Sequence, residues 1–382
     1  MKRRDFVKGA ALAAAGAGAL ALGACGNKEE KQKVEAKTPE APAVAKQIRV
    51  LKMVTTWPKD FPGLGTGAQR LADNITAMSG GSLTVKLYAS GELVPAMESF
   101  DAVSGGNADM YHGAEYYWQG KHTAFNFFTA VPFGLTADEM DAWTNYGGGQ
   151  ALWDELAAGF NIKPFAAGNT GVQMGGWFNK EINKIEDYKG LKIRMPGLGG
   201  EVIRQIGGSA VTLPGSEIFP SLQSGAIDAT EWVGPWNDLA QGFYKITKYY
   251  YYPGFHEPGS TLSCGMNKDV WDGLSKDHQA IVASACMAEN NRMLSEYNAK
   301  NSGALDTLVN KHNVILRRQS DDILRAIGIA ADDVLSSVGA TDDISKRIYA
   351  NFMAFRKQAM GWTSLSETAF TAARALDKKL GR

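Results

Sequence analysis

The sequence predicts an α/β protein of two lobes, a clamshell, completed by long C-terminal helices. Three observations predict it. Strand-like and helix-like segments alternate between residues 47 and 111, the alternation restarts near residues 165–175, and from residue 275 the pattern is helical. At 382 residues the chain is long enough for two domains, each with its own core.

The first residues are a targeting segment. Arg3-Arg4-Asp5-Phe6-Val7-Lys8 reads as a twin-arginine export signal, followed by an Ala/Gly/Leu stretch over residues 9–22. That stretch is too short and too weakly apolar for a spanning helix. Leu22-Gly23-Ala24-Cys25 has the form of a bacterial lipobox, which would make Cys25 the lipidated new N-terminus; ordinary cleavage nearby would leave Cys25 without a role. Residues 26–46, rich in Lys, Glu, Pro and Ala, read as a flexible tether. Of three cysteines, Cys264 and Cys286 then remain, expected as two buried thiols rather than a bridge.

The first lobe, residues 47–166, takes strands at 47–53, 83–88 and 108–111, with helices at 68–78 and 95–103 between them. This order predicts a parallel sheet. Residues 136–158 are mostly helical, interrupted by Gly147-Gly148-Gly149. The second lobe, residues 167–259, follows strands at 162–166 and 172–179 and holds 191–195, 211–213 and 226–232 as strands around short helices. Residues 260–382 cross back to the first lobe and supply the C-terminal helices. Ser275 is the expected N-cap of a helix reaching about residue 310, and Thr341 of one running toward residue 361. In the latter, Ile344, Ile348, Phe352 and Phe355 form one apolar stripe, packed on its own subunit or on a second one in a dimer.

Charge excludes partners with strong fields. Forty acidic and forty basic residues balance, which favours neither nucleic acid nor an anionic membrane surface. Catalytic motifs are missing too. His112, His122, His256, His278 and His312 are scattered, with no HExxH and no cysteine pair at zinc spacing. Gly207-Gly208-Ser209-Ala210-Val211 fails as a nucleophile elbow at its last position. Gly197-Leu198-Gly199-Gly200 fails as a dinucleotide fingerprint because Val202 stands where the third glycine belongs.

What remains is a constellation within residues 190–238 and its surroundings. Arg194, between Ile193 and Met195 and before Pro196-Gly197, points inward at a strand end. A buried guanidinium needs an anion, and its fork of donors meets a carboxylate bidentately. Glu231-Trp232 ends the strand over 226–232, Glu257 follows the tyrosine run 249–252, and Gln173 enters the second lobe. Two carboxylates, an amide oxygen and a ligand carboxylate would make a hard, all-oxygen site for sodium or calcium. Trp57, Tyr116, Tyr117, Trp118, Trp232 and Trp236 fall near predicted strand ends, as walls for a small, partly apolar ligand or as core.

These residues resemble a known family. Residues 191–197, 213–238 and 116–122 (YYWQGKH) are similar to the solute-binding proteins of tripartite ATP-independent periplasmic (TRAP) transporters, in the branch that binds 2-oxo and 2-hydroxy monocarboxylates. The resemblance runs from about residue 50 to the C-terminal helices. It implies the two-lobe periplasmic binding protein clamshell, transport rather than catalysis, and delivery of pyruvate- or lactate-like acids to membrane permease subunits. It implies that Arg194 pairs with the substrate carboxylate, and that Gln173, the Glu231 carboxylate, the Trp232 backbone carbonyl and Glu257 hold a bridging metal ion. Gln173, Trp232, Tyr116, Tyr117 and Trp57 would contact the substrate, the three from the first lobe varying with its identity. Some members dimerise through a C-terminal helix. The lipobox at Cys25 departs from the family pattern. The rival readings are an exported enzyme using Glu231 or Glu257 as a base, and a lipid-anchored sensor for the same acids.

Overall fold

The computed structural model describes residues 48–376. The export signal, Cys25 and the tether lie outside the described residues.

Two mixed sheets carry the chain. β1 (Arg49–Thr55), β2 (Leu83–Tyr88), β3 (Met110–Gly113) and β4 (Ile162–Asn169) belong to the first. β5 (Gly176–Phe178), β6 (Lys192–Arg194), β7 (Ser209–Val211), β8 (Ala229–Thr230) and β9 (Tyr249–Tyr252) build the second. The chain then returns: β10 (Thr261–Asn267) enters the first sheet between β3 and β4, and β11 (Ile315–Arg318) joins the edge of the second. The orders are β2-β1-β3-β10-β4 and β11-β9-β5-β8-β6-β7.

The expected parallel sheet holds for β1 with β2 and β3, where helical crossovers separate the strands. It fails at β10, which pairs antiparallel with both β3 and β4. All seven residues of β10 are buried, so the strand shows no alternation and its pairing is non-local. β4 continues to Asn169, past the expected end at residue 166. The strand expected over 226–232 shortens to Ala229–Thr230, leaving Glu231 and Trp232 beyond its end.

Helix ends follow their caps. Ser275 accepts a 3.2 Å hydrogen bond from His278 N and starts the helix Lys276–His312. The helix Asp343–Thr363 is capped by Asp342, which accepts from Ser345 N at 2.8 Å, and not by Thr341. The Thr341 hydroxyl turns back to Ser337 O, the end of the preceding helix Asp321–Gly339. The apolar stripe packs on its own subunit: Ile348 and Phe352 are buried in a core with Phe127, Phe128, Trp143 and Trp153. Cys264 and Cys286 are free and buried in the core under the first sheet. Among the described residues no helix is long and apolar enough to cross a membrane.

Candidate functional site

β6 runs Lys-Ile-Arg, so its alternation turns Lys192 to solvent while Ile193 anchors the core. Arg194, at the strand's end, is 0% exposed. Its guanidinium is held from three sides. Nε donates to Leu213 O at 3.2 Å, Nη1 to Glu231 O at 3.2 Å and to Glu231 Oε1, and Nη2 to Tyr117 OH at 3.3 Å. The Trp232 ring lies 5.0 Å beneath its carbon. Burial is the largest single influence and would disfavour the charge, but Glu231, Tyr117, Tyr116 and Glu257 together outweigh it and keep the guanidinium cationic.

Glu231 uses its other oxygen, Oε2, toward His256 Nε2 at 3.2 Å. Beside it Glu257 Oε2 accepts from Gln173 Nε2 at 2.7 Å, and Gln173 N donates to Glu257 O at 3.1 Å. One ligand atom each from Glu231, His256 and Glu257 lie within 4.8 Å of one another. Burial first, and the nearby Glu231 second, push the Glu257 carboxyl up to about 7. Burial opposes the charged form of His256, but its bond to Glu231 and the charges of Glu231 and Glu257 together outweigh this and raise its proton affinity.

The aromatic residues close the other side. Trp57 donates from Nε1 to His112 Nδ1 at 2.8 Å, and its ring stands 6.2 Å from Tyr117 and 6.3 Å from Trp232. Tyr116 meets Tyr117 edge-on at 4.8 Å. Together with Leu64, Thr170, Gln173, Val233, Ser260 and Leu262 they line a small cavity. A larger surface groove, bordered by Gln119, Arg204 and Asp333, contains none of the predicted site residues.

The structure therefore brings together Arg194, Glu231, Trp232, Glu257, Gln173, Tyr116, Tyr117 and Trp57. It separates Trp118, which is core against Phe100 and Tyr111, and Trp236, which packs on Tyr297. His256 is the member that sequence reasoning missed; its adjacency to Glu257 was the one available signal. The residues present fit a hard cation. Gln173 Oε1 is a buried acceptor with no hydrogen-bond partner, and its amide nitrogen bonds Glu257, which clusters with Glu231.

A buried guanidinium and an acid cluster stand beside an aromatic-lined cavity, the combination a receptor for a small anion would need. Residues 53–339 match the family described as bacterial extracellular solute-binding protein, family 7, and the chain belongs to that family. Its members are substrate receptors of transporters, not enzymes, and work outside the cytoplasmic membrane. The chain is 39% identical over 370 residues to the monocarboxylate 2-oxoacid-binding periplasmic protein of Nostoc sp., covering 97% of this chain and 98% of that one. It superposes with a TM-score of 0.83 and 38% identity on a TRAP periplasmic solute-binding protein of Pseudoalteromonas atlantica with bound sodium and pyruvate. That match covers 85% of this chain and 99% of the other. A TRAP periplasmic solute-binding protein of Colwellia psychrerythraea, with bound calcium and pyruvate, matches equally at 38% identity, TM-score 0.83 and the same coverage.

Proposed function

We propose that this protein captures a small 2-oxo or 2-hydroxy monocarboxylate, of pyruvate or lactate size, together with sodium or calcium. It delivers the acid to the membrane permease subunits of a TRAP transporter. The observation that carries the reading is Arg194, wholly buried at the end of β6 against the cavity wall formed by Tyr117 and Trp232. The relatives that bind pyruvate support it.

In this reading Arg194 takes the ligand carboxylate, while Trp57, Tyr116, Tyr117, Trp232 and Gln173 shape the space around it. Glu231, Glu257, Gln173 and the Trp232 backbone carbonyl would hold the ion, which supplies positive charge beside the ligand. Charge balance gives it a purpose. Arg194 and Glu231 cancel as an ion pair, so an ionised Glu257 and an incoming carboxylate would have only the His256 imidazole as a further source of positive charge. Residues 47–166 and 167–259 act as the closing lobes, with 260–382 joining them, and ligand contacts made only in the closed form favour closure.

Calorimetric titration with pyruvate and lactate tests this. Arg194→Ala should lower affinity by at least about 100-fold, the scale for truncating one partner of a buried charge pair. Retained affinity sinks the role of Arg194. In sodium-free buffer with a calcium chelator the wild type should lose roughly 10-fold or more, within the usual range of coupling between sites. Unchanged affinity removes the ion from the reading.

Export by the twin-arginine route through Arg3-Arg4, and lipid anchoring at Cys25, are further parts of the proposal. An intact mass of the exported protein distinguishes a diacylated Cys25 from a plain cleavage. A homodimer would use apolar surface beyond the buried stripe, where Met360, Trp362, Leu365 and Phe370 stand exposed.

A further inference from the structure

We propose that His112 is a positioning residue that sets the length of acid the site accepts, because it locks the Trp57 indole into the aromatic wall. The inference rests on the monocarboxylate reading above and concerns the aromatic wall, not the acid cluster.

His112 lies on β3, wholly buried, with both ring nitrogens engaged. Trp57 Nε1 donates to His112 Nδ1 at 2.8 Å. An indole N–H only donates, so Nδ1 carries no proton. His112 Nε2 lies 3.1 Å from Ala167 O, which only accepts, so the ring proton sits on Nε2. Burial is the chief cause that pushes this imidazole down to about 4, so at neutral pH no second proton competes for Nδ1. Ala167 is where β4 bulges. β10 pairs Ser263 with Ala166 and Leu262 with Gly168, which leaves no residue of β10 opposite Ala167. Its carbonyl serves His112 instead, and bulges commonly re-aim groups beside a site in this way. Through His112 the indole is therefore tied to a sheet strand rather than to a surface loop.

The other tryptophan of the cavity is not held so. Trp232 Nε1 is buried with no hydrogen-bond partner, and its ring stands edge-on to Trp57 at 6.3 Å. Trp57 is fixed at its backbone as well: its carbonyl accepts from Ser90 N at 2.9 Å, and its amide donates to Thr55 Oγ1 at 3.3 Å. What freedom remains is the two side-chain torsions, and the bond to His112 removes it. In the monocarboxylate reading Arg194 takes the carboxylate, so the rest of the carbon chain meets the aromatic residues. A ring that cannot turn sets a hard limit there, and one methylene in an apolar pocket is worth about 10–200-fold in discrimination. His112 touches no ligand; it acts through Trp57.

Two amide variants separate the two bonds of the imidazole. Asparagine places its oxygen near the position of Nδ1 and keeps an acceptor for Trp57. Glutamine reaches the position of Nε2, keeps a donor for Ala167 O and leaves the indole unpaired. Each variant is titrated at fixed sodium with pyruvate, 2-oxobutyrate and 4-methyl-2-oxopentanoate, weak ligands being read by competition. His112→Gln should shift the affinity ratio toward the longer acids by about 2–10-fold, the scale of one neutral hydrogen bond. His112→Asn should keep the wild-type ratio. Trp57→Phe, which keeps a ring but has no N–H, should shift the ratio too, and adding His112→Gln to it should shift the ratio no further. An equal loss on all three acids in His112→Gln, with the ratio unchanged, overturns the proposal. So does an equal shift in the Asn and Gln variants, or an undiminished effect of His112→Gln in the Trp57→Phe background. If the wild type binds none of the three acids, the monocarboxylate reading fails and the proposal with it; if it binds them and the ratio never moves, only the role of His112 fails.

Discussion

The two walls of the crevice are built on different principles. The half around the second sheet, with the segments leading into it, brings the charges: Arg194, Glu231, His256 and Glu257, neutralised largely against each other. The half around the first sheet brings Trp57, Leu64, Tyr116, Tyr117 and Leu262, apolar surface with a few hydroxyls. In the proposed reading one wall recognises charge, and the other dries the space in which that recognition acts. Each depends on the other, since ion pairs strengthen where water is excluded.

A second contrast lies between two buried acids. Glu231 has a guanidinium for a partner. Glu115, on the aromatic wall, has a tyrosine: Tyr111 OH donates to its Oε1 at 2.7 Å, and Oε2 has no partner. Burial accordingly pushes the Glu115 carboxyl up to about 7.

The largest effect expected of this comparison is at Arg194. Arg194→Lys keeps the charge but loses the fork, and should still cost roughly 30-fold or more in pyruvate affinity by calorimetry. Near-wild-type binding would show that the charged wall recognises net charge alone, not planar geometry. Next comes Glu115→Gln, read by melting against pH. A carboxyl whose folded pKa is raised gives its full stability below its unfolded value near 4.5 and loses it as pH rises through about 7. The variant should match wild type near pH 4 and exceed it at pH 8 by up to roughly 3 kcal/mol, from 1.4 kcal/mol per pH unit. A constant offset at all pH values would mean Glu115 ionises freely. The smallest is Tyr117→Phe, which removes one hydrogen bond to Arg194 while keeping the ring; pyruvate affinity should fall about 2–10-fold. No change would confine the aromatic wall to excluding water.

Much of this was legible in the chain. A charge between Ile193 and Met195 in a strand-like run had to be buried and paired, and it is. The acid-aromatic pair at residues 231–232 showed itself by ending a strand. Three features escaped for physical reasons. β10 pairs with strands about 100 and 150 residues away, so no local pattern marks it. Trp118 was grouped with Tyr116 and Tyr117, but the three sit in a 3₁₀ turn, Glu115–Trp118, where successive side chains diverge by about 120°, sending Trp118 to the core. His256 has no spacing partner in sequence; what brings it into the cluster is Glu231, placed alongside by the fold.

Gly197 begins the helix that follows Arg194, in the left-handed region at φ 62°. A Cβ there would stand 2.8 Å from Asn126 Oδ1 and 3.1 Å from Tyr116 Cβ, both on the opposite wall. The two halves thus touch along a seam no thicker than bare backbone. A side chain at this position would act as a wedge against Asn126 and the Tyr116 ring. The glycine sets clearance: in the proposed closing motion, it is the point where the two halves come together backbone against side chain.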